Sequence, residues 1–157
     1  MSKPLTLDLI GETEIRVTRH FKGTPQQVYR AHTDPALIQR WCLGPDGWTM
    51  PVCICEARPG GKIRYEWAKD GQGFHLTGGF VALAPYSRIE HIERMHLPDP
   101  TPDNHIVTEF TPHNGGTRMV MTMTLPDPAT RKIMLASGMD QGMEVSCQRM
   151  EAMLAEV

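Results

Sequence analysis

The order of local patterns along the chain constrains the fold more than any other feature of the sequence. Six segments between residues 49 and 125 alternate apolar and polar residues, and turn signals such as Asp70-Gly71 separate them. Such alternation is typical of half-buried strands, and short turns join strands in an antiparallel way. A seventh strand is predicted at Glu14–Phe21. The strands predicted after it are 49–57, 62–68, 74–83, 88–97, 105–111 and 117–125.

Helix starts are marked by capping residues followed by proline. Thr24-Pro25 and Asp34-Pro35 predict two short helices directly after the first predicted strand, with Val28, Ala31 and His32 on the inner stripe of the first. Asp127-Pro128 predicts a helix that extends to about residue 156, with Gly138 and Gly142 on a common face. Because glycine destabilises a helix interior, two glycines on one face indicate that backbone or a ligand lies close to the helix there.

These patterns predict one α+β domain over residues 13–157, preceded by a loosely attached N-terminal arm at residues 1–12. One amphipathic helix must cover one face of the seven-stranded antiparallel sheet, which curls around it. One helix does not fill the whole concave side, so we expect a cavity between sheet and helix.

Composition excludes several classes of function. The chain has 157 residues, 40% of them apolar, and a formal charge of −2. No run of basic residues is longer than two, which argues against a nucleic-acid or membrane surface. The N-terminus lacks an apolar signal core, so we expect a cytoplasmic protein with reduced thiols. Cys53 and Cys55 do not show the spacing of a zinc site, and no phosphate-binding glycine motif is present, so no metal or cofactor is expected.

Several short motifs together resemble a known family. They are Thr24-Pro25 to Val28-Tyr29, Thr33-Asp34-Pro35 to Arg40-Trp41, Gly44-Pro45-Asp46-Gly47-Trp48, Arg58-Pro59-Gly60-Gly61, Gly115-Gly116-Thr117-Arg118 and Ser137-Gly138-Met139 to Gln141-Gly142-Met143. The chain resembles the START-like, or helix-grip (SRPBCC), superfamily, and within it bacterial proteins related to the C-terminal domain of the activator of the heat-shock-protein-90 ATPase. The resemblance implies the helix-grip fold. It leaves the function open, because the superfamily hosts lipid carriers, cyclases, hormone receptors and co-chaperones.

Strand parity and helix spacing assign bulky residues to the predicted concave face, where core and cavity wall are one surface. The alternative is that these residues only form the core. Eleven methionines are many for this length, and they predict an adaptable wall. The candidate apolar contacts are Trp41, Met50, Tyr65, Trp67, Met121, Met139, Gly142 and Met143.

Three polar residues are candidates for orienting a ligand. His91 and Glu93 share a face with Ile89 and Met95, and His75 lies on the neighbouring predicted strand. If they point inward, the pocket has the usual composition of a ligand site, mostly apolar with a few polar anchors. In the alternative, the strand face that carries these residues is exposed to solvent.

The leading hypothesis is a carrier or sensor of a small, mainly hydrophobic molecule, present as a monomer or homodimer. A second hypothesis, which the resemblance implies, is a module that interacts with a chaperone. A third is a small-molecule cyclase or hydrolase, which requires a buried histidine beside a carboxylate. The proline-rich segment 98–102 is predicted to be a loop and a candidate lid.

Overall fold

Eight β-strands form one antiparallel sheet in the computed structural model, which describes residues 3–157. Two short helices follow β2, and two more end the chain. The α+β class, the curled antiparallel sheet and the two short helices are confirmed. The elements are β1 Thr6–Ile10, β2 Glu14–Phe21, α1 Pro25–Thr33, α2 Pro35–Trp41, β3 Thr49–Cys55, β4 Lys62–Lys69, β5 Gln72–Ala84, β6 Arg88–His96, β7 Asn104–His113, β8 Gly116–Thr124, α3 Pro128–Ala136 and α4 Met139–Leu154.

The sheet has one strand more than the seven predicted. Its order is β1-β2-β8-β7-β6-β5-β4-β3. The additional strand, β1, lies within the segment that was predicted to be a loose arm, and it pairs with β2 in a register that sets Leu7 opposite Val17. A five-residue edge strand with a half-exposed Leu9 offers too short a pattern to be recognised.

The two short helices begin where the capping residues predict. The Thr24 hydroxyl accepts from the Gln27 amide at 3.1 Å, and the Gln27 side chain accepts from the Thr24 amide at 2.9 Å. Asp34 ends α1 and caps α2 by accepting from the Ala36 amide at 3.0 Å. The chain therefore turns within one residue, which places α2 beside α4 and β3.

The C-terminal helix is interrupted, contrary to the prediction of one continuous helix. Gly138 adopts a left-handed conformation with φ of 79°, which separates α3 from α4. The interruption resets the helical phase, so Ile133 on α3 is 73% exposed instead of facing inward. α4 packs on the concave face of the sheet and buries Cys147, Met150 and Met153.

A buried arginine on the sheet forms ion pairs with α4. Arg19 on β2 is 3% exposed and lies among the inward-facing residues of its strand. Its guanidinium donates to both oxygens of Glu144, at 3.0 and 3.1 Å, and to Glu151 at 3.0 Å. The same carboxylates accept from the backbone amides of Leu5 and Lys22. Arg19 thus links β2 to the helix that covers the cavity, and Glu144 extends the link to Leu5, the residue before β1.

No helix within residues 3–157 has the length and apolarity needed to span a lipid bilayer.

Candidate functional site

A cavity of about 490 Å³ lies between the concave face of the sheet, the connection from α2 to β3, and α4. Its wall is mostly apolar, and its volume falls within the range of small-molecule sites. All three tryptophans of the chain contribute to it. The main apolar contributors are Trp41, Leu43, Trp48, Ile63, Trp67, Phe74, Leu76, Phe80, Met95, Met121, Met123, Met139 and Met143.

Nine of the eleven predicted site residues lie in the wall of this cavity. They come from α2, β4, β6, β8 and α4, which are far apart in sequence and which the fold brings together. The nine are Trp41, Tyr65, Trp67, His91, Glu93, Met121, Met139, Gly142 and Met143. The structure does not bring the other two, Met50 and His75, into the wall, nor any residue of the candidate lid 98–102.

His75 lies on the opposite face of the sheet. Its neighbours on β5, Phe74 and Leu76, line the cavity, so the alternation of the strand points His75 outward. There its ring stacks on His96, with the ring centroids 4.2 Å apart. The expectation that His75 orients a ligand is therefore corrected by its position.

Met50 belongs to the core instead of the cavity wall. It is 5% exposed and packs within the main cluster of buried side chains. Its carbonyl accepts from the Gln39 side chain at 3.0 Å, which joins the start of β3 to α2. Met50 thus supports the cavity wall without lining it.

His91 and Glu93 point inward and form a pair in the cavity wall. His91 Nε2 lies 3.3 Å from Glu93 Oε2, and their side chains are 16% and 23% exposed. An ionised carboxylate only accepts hydrogen bonds, so this imidazole nitrogen carries the hydrogen and donates. His91 Nδ1 is buried and has no hydrogen-bond partner among the described residues. In this tautomer, Nδ1 is an acceptor without a donor.

His32 is a cavity residue that the predicted site does not include. Its Nδ1 lies 2.7 Å from the Val28 carbonyl, which only accepts, so Nδ1 carries the hydrogen and Nε2 is left as an acceptor. The ring packs between Trp41 and Phe110, with both centroids 5.1 Å away. Burial, aided by the nearby His91, lowers the pKa of His32 to about 4. His32 is therefore neutral at neutral pH, and the predicted inner stripe of α1 was the signal for its position.

The tryptophans of the wall are held by hydrogen bonds to the backbone. Trp41 Nε1 donates to the Ala31 carbonyl, and Trp67 Nε1 donates to the Cys42 carbonyl, both at 2.8 Å. Trp67 also stacks on Phe74 with centroids 4.9 Å apart. These contacts fix two large rings before any ligand arrives, which lowers the entropic cost of binding.

The nucleophilic side chains of the wall are not activated. Burial, with a smaller contribution from Glu93, raises the pKa of the Cys42 thiol to about 12, so the thiolate is scarce at neutral pH. The Ser146 hydroxyl accepts from the Gly44 amide at 2.9 Å. Within residues 3–157, no group of three or more His, Cys, Asp and Glu side chains is arranged to hold a metal ion. The arrangement can bind an apolar molecule and exchange hydrogen bonds with its polar end.

Comparison with solved structures identifies similar folds over nearly the whole chain. A protein from Rhodobacter sphaeroides is 30% identical, with a TM-score of 0.92, covering 98% of this chain and 99% of its own. Protein Ms6760 from Mycobacterium smegmatis is 22% identical, with a TM-score of 0.83, covering 98% and 97%. An AHSA1-like protein from Aeromonas hydrophila is 21% identical, with a TM-score of 0.71, covering 88% and 92%.

A comparison with curated proteins finds no match. The family described as activator of Hsp90 ATPase homolog 1-like protein matches residues 22–155, from the end of β2 to the end of α4. This range includes both short helices, the strand β6 that carries His91 and Glu93, and the helix that covers the cavity. The chain therefore belongs to the family of activator of Hsp90 ATPase homolog 1-like proteins.

Proposed function

We propose that this protein binds a small, mainly hydrophobic molecule in the cavity between its sheet and α4, as a carrier or a sensor. The observation that carries the proposal is the composition of the wall around about 490 Å³ of space. The wall is mostly apolar, with aromatic rings and methionines prominent in it, and the pair of His91 and Glu93 supplies a polar anchor. Open space of this size beside large apolar side chains loses packing energy that a bound apolar molecule would recover.

The first test is uptake of an uncharged fluorescent probe, N-phenylnaphthylamine, which emits more strongly in apolar surroundings. All three tryptophans line the cavity, so a bound probe also accepts excitation energy from them. We expect saturable binding with one probe per chain. Native mass spectrometry of the purified protein, followed by denaturing extraction, identifies any molecule that it already carries.

Replacing Gly142 by leucine is expected to block the cavity without harming the fold. A Cβ atom at this position meets only Pro45 Cδ, at 3.8 Å, so the backbone tolerates a side chain. Removing a glycine from the interior of α4 gains up to about 1 kcal/mol of helix stability. We expect probe affinity to fall about tenfold or more, which corresponds to ~1.4 kcal/mol or more, while urea denaturation shows unchanged or higher stability.

Gln141→Leu is the matched control. Gln141 is the exposed neighbour on the same helix, so leucine there adds the same side chain outside the cavity. Its probe affinity is expected to equal that of the unmodified protein. If Gly142→Leu also bound the probe normally, the ligand would not occupy this cavity. A chain that takes up no probe and carries no molecule would contradict the proposal and favour the chaperone role, which the ATPase rate of a bacterial Hsp90 homologue would then test.

A further inference from the structure

The charges in the cavity wall are unbalanced. Glu93 is the only Asp or Glu in the wall among the described residues, and no Lys or Arg side chain of the same residues lines it. The basic side chains that do line the wall are the imidazoles of His32 and His91. Among the described residues, the wall therefore carries one acidic group, and its hydrogen-bonded partner in the wall is an imidazole.

The pair of His91 and Glu93 carries no net positive charge in either protonation state of His91. With a neutral imidazole, the pair of His91 and Glu93 carries one negative charge, and with a protonated imidazole it carries none. His32 stays neutral at neutral pH because burial of its ring lowers its pKa to about 4, and this effect outweighs the hydrogen bond to Val28, which raises the pKa. In neither state does the cavity offer positive charge to an anion, and a like charge buried beside Glu93 is strongly unfavourable.

The polar atoms of the wall suit a hydroxyl group instead. Glu93 Oε2 faces His91, and the carboxylate keeps part of its surface open. His32 Nε2 is a further acceptor, because the other nitrogen of that ring is the donor. Thr108 and Ser146 add hydroxyl groups that can donate. A ligand hydroxyl both donates and accepts, so it can satisfy groups of both kinds.

We infer that the ligand is an uncharged, mainly apolar molecule with a hydroxyl group, and that Glu93 excludes apolar anions such as carboxylates from the cavity. The inference rests on the proposed function and adds the chemical class of the ligand. It assigns Glu93 a role in specificity, separate from the apolar contacts that supply affinity.

Three probes that differ only in their polar end test the inference: para-hexylphenol, para-hexylanisole and para-hexylbenzoate. Each is titrated as a competitor of bound N-phenylnaphthylamine near neutral pH. We expect the phenol to bind about tenfold or more tighter than the ether, which lacks the donor, and than the carboxylate. Equal affinity of the phenol and the ether, or binding of the carboxylate as tight as that of the phenol, would overturn the inference.

Glu93→Gln separates the charge of Glu93 from its shape. The amide keeps an accepting oxygen but removes the charge, so affinity for para-hexylbenzoate is expected to rise about tenfold. Affinity for para-hexylphenol is expected to fall, because a neutral amide oxygen accepts a hydrogen bond more weakly than a carboxylate, so the preference for the phenol over the benzoate narrows. The matched control is Glu109→Gln on β7, which changes the net charge of the protein equally at an exposed position.

The outcomes distinguish this inference from the proposed function. If the benzoate gains in Glu93→Gln and not in Glu109→Gln, Glu93 sets the selectivity. If both variants gain equally, the effect is one of overall charge and the inference fails. If all three probes displace N-phenylnaphthylamine equally well, the binding function stands and the inferred ligand class fails. If N-phenylnaphthylamine itself does not bind and the purified chain carries no molecule, the proposed function fails.

Discussion

Arg19→Met is expected to lower the free energy of unfolding by about 3 kcal/mol. Removing one partner of a buried ion pair costs ~3–5 kcal/mol because the other charge is left without compensation. The lower end applies here because Glu144 and Glu151 keep 16% and 19% of their side-chain surface accessible. Methionine retains the apolar stem of the arginine, so most of the loss comes from the missing positive charge beside Glu144 and Glu151. Urea denaturation near neutral pH measures it.

Two further variants show whether the loss comes from the ion pairs. Arg118→Met removes an exposed arginine from the adjacent strand β8, and we expect its effect to stay within about 0.5 kcal/mol. The triple variant Arg19→Met, Glu144→Gln, Glu151→Gln removes the two negative charges and keeps oxygens that can accept from Leu5 and Lys22. It should regain at least half of the loss. If Arg19→Met were as mild as Arg118→Met, the link between α4 and the sheet would not depend on this network.

The parts of the fold that could be predicted from the sequence are those that local patterns determine. Alternation predicts the strands from β2 to β8, and the hydroxyl or carboxylate before each proline predicts the helix starts. β1 was not predicted because its strand conformation depends on pairing with β2. The break at Gly138 was not predicted because the sequence pattern around a glycine is the same whether the helix continues through it or ends there.

The site shows the same division between local and tertiary information. Parity on β6 predicts that His91 and Glu93 share a face with Ile89 and Met95, and all four line the cavity. Which residues of β5 face inward depends on how β5 aligns with β6, and the sequence pattern does not determine that alignment. The structure pairs Leu76 with Met95 and His75 with His96, so an inward Met95 requires an outward His75.

His32→Asn is expected to make the protein less sensitive to acid. In the unfolded chain His32 binds a proton near its ordinary pKa of 6.5, whereas in the folded cavity wall burial lowers the pKa to about 4. Between these two pKa values the unfolded state binds more protons than the folded state. The contribution of His32 to the free energy of unfolding is therefore complete above pH 6.5 and is lost as the pH falls toward about 4. The difference corresponds to up to about 3 kcal/mol.

Urea denaturation at a series of pH values between these limits measures the effect. An asparagine amide can donate to the Val28 carbonyl in place of Nδ1, so the variant keeps the hydrogen bond and loses only the titration. Carboxylates such as Glu144 titrate in both proteins, so their contribution cancels in the comparison. If His32→Asn lost as much stability on acidification as the unmodified protein, His32 would bind its proton as readily in the folded state as in the unfolded state, and burial in the cavity wall would not disfavour its charge.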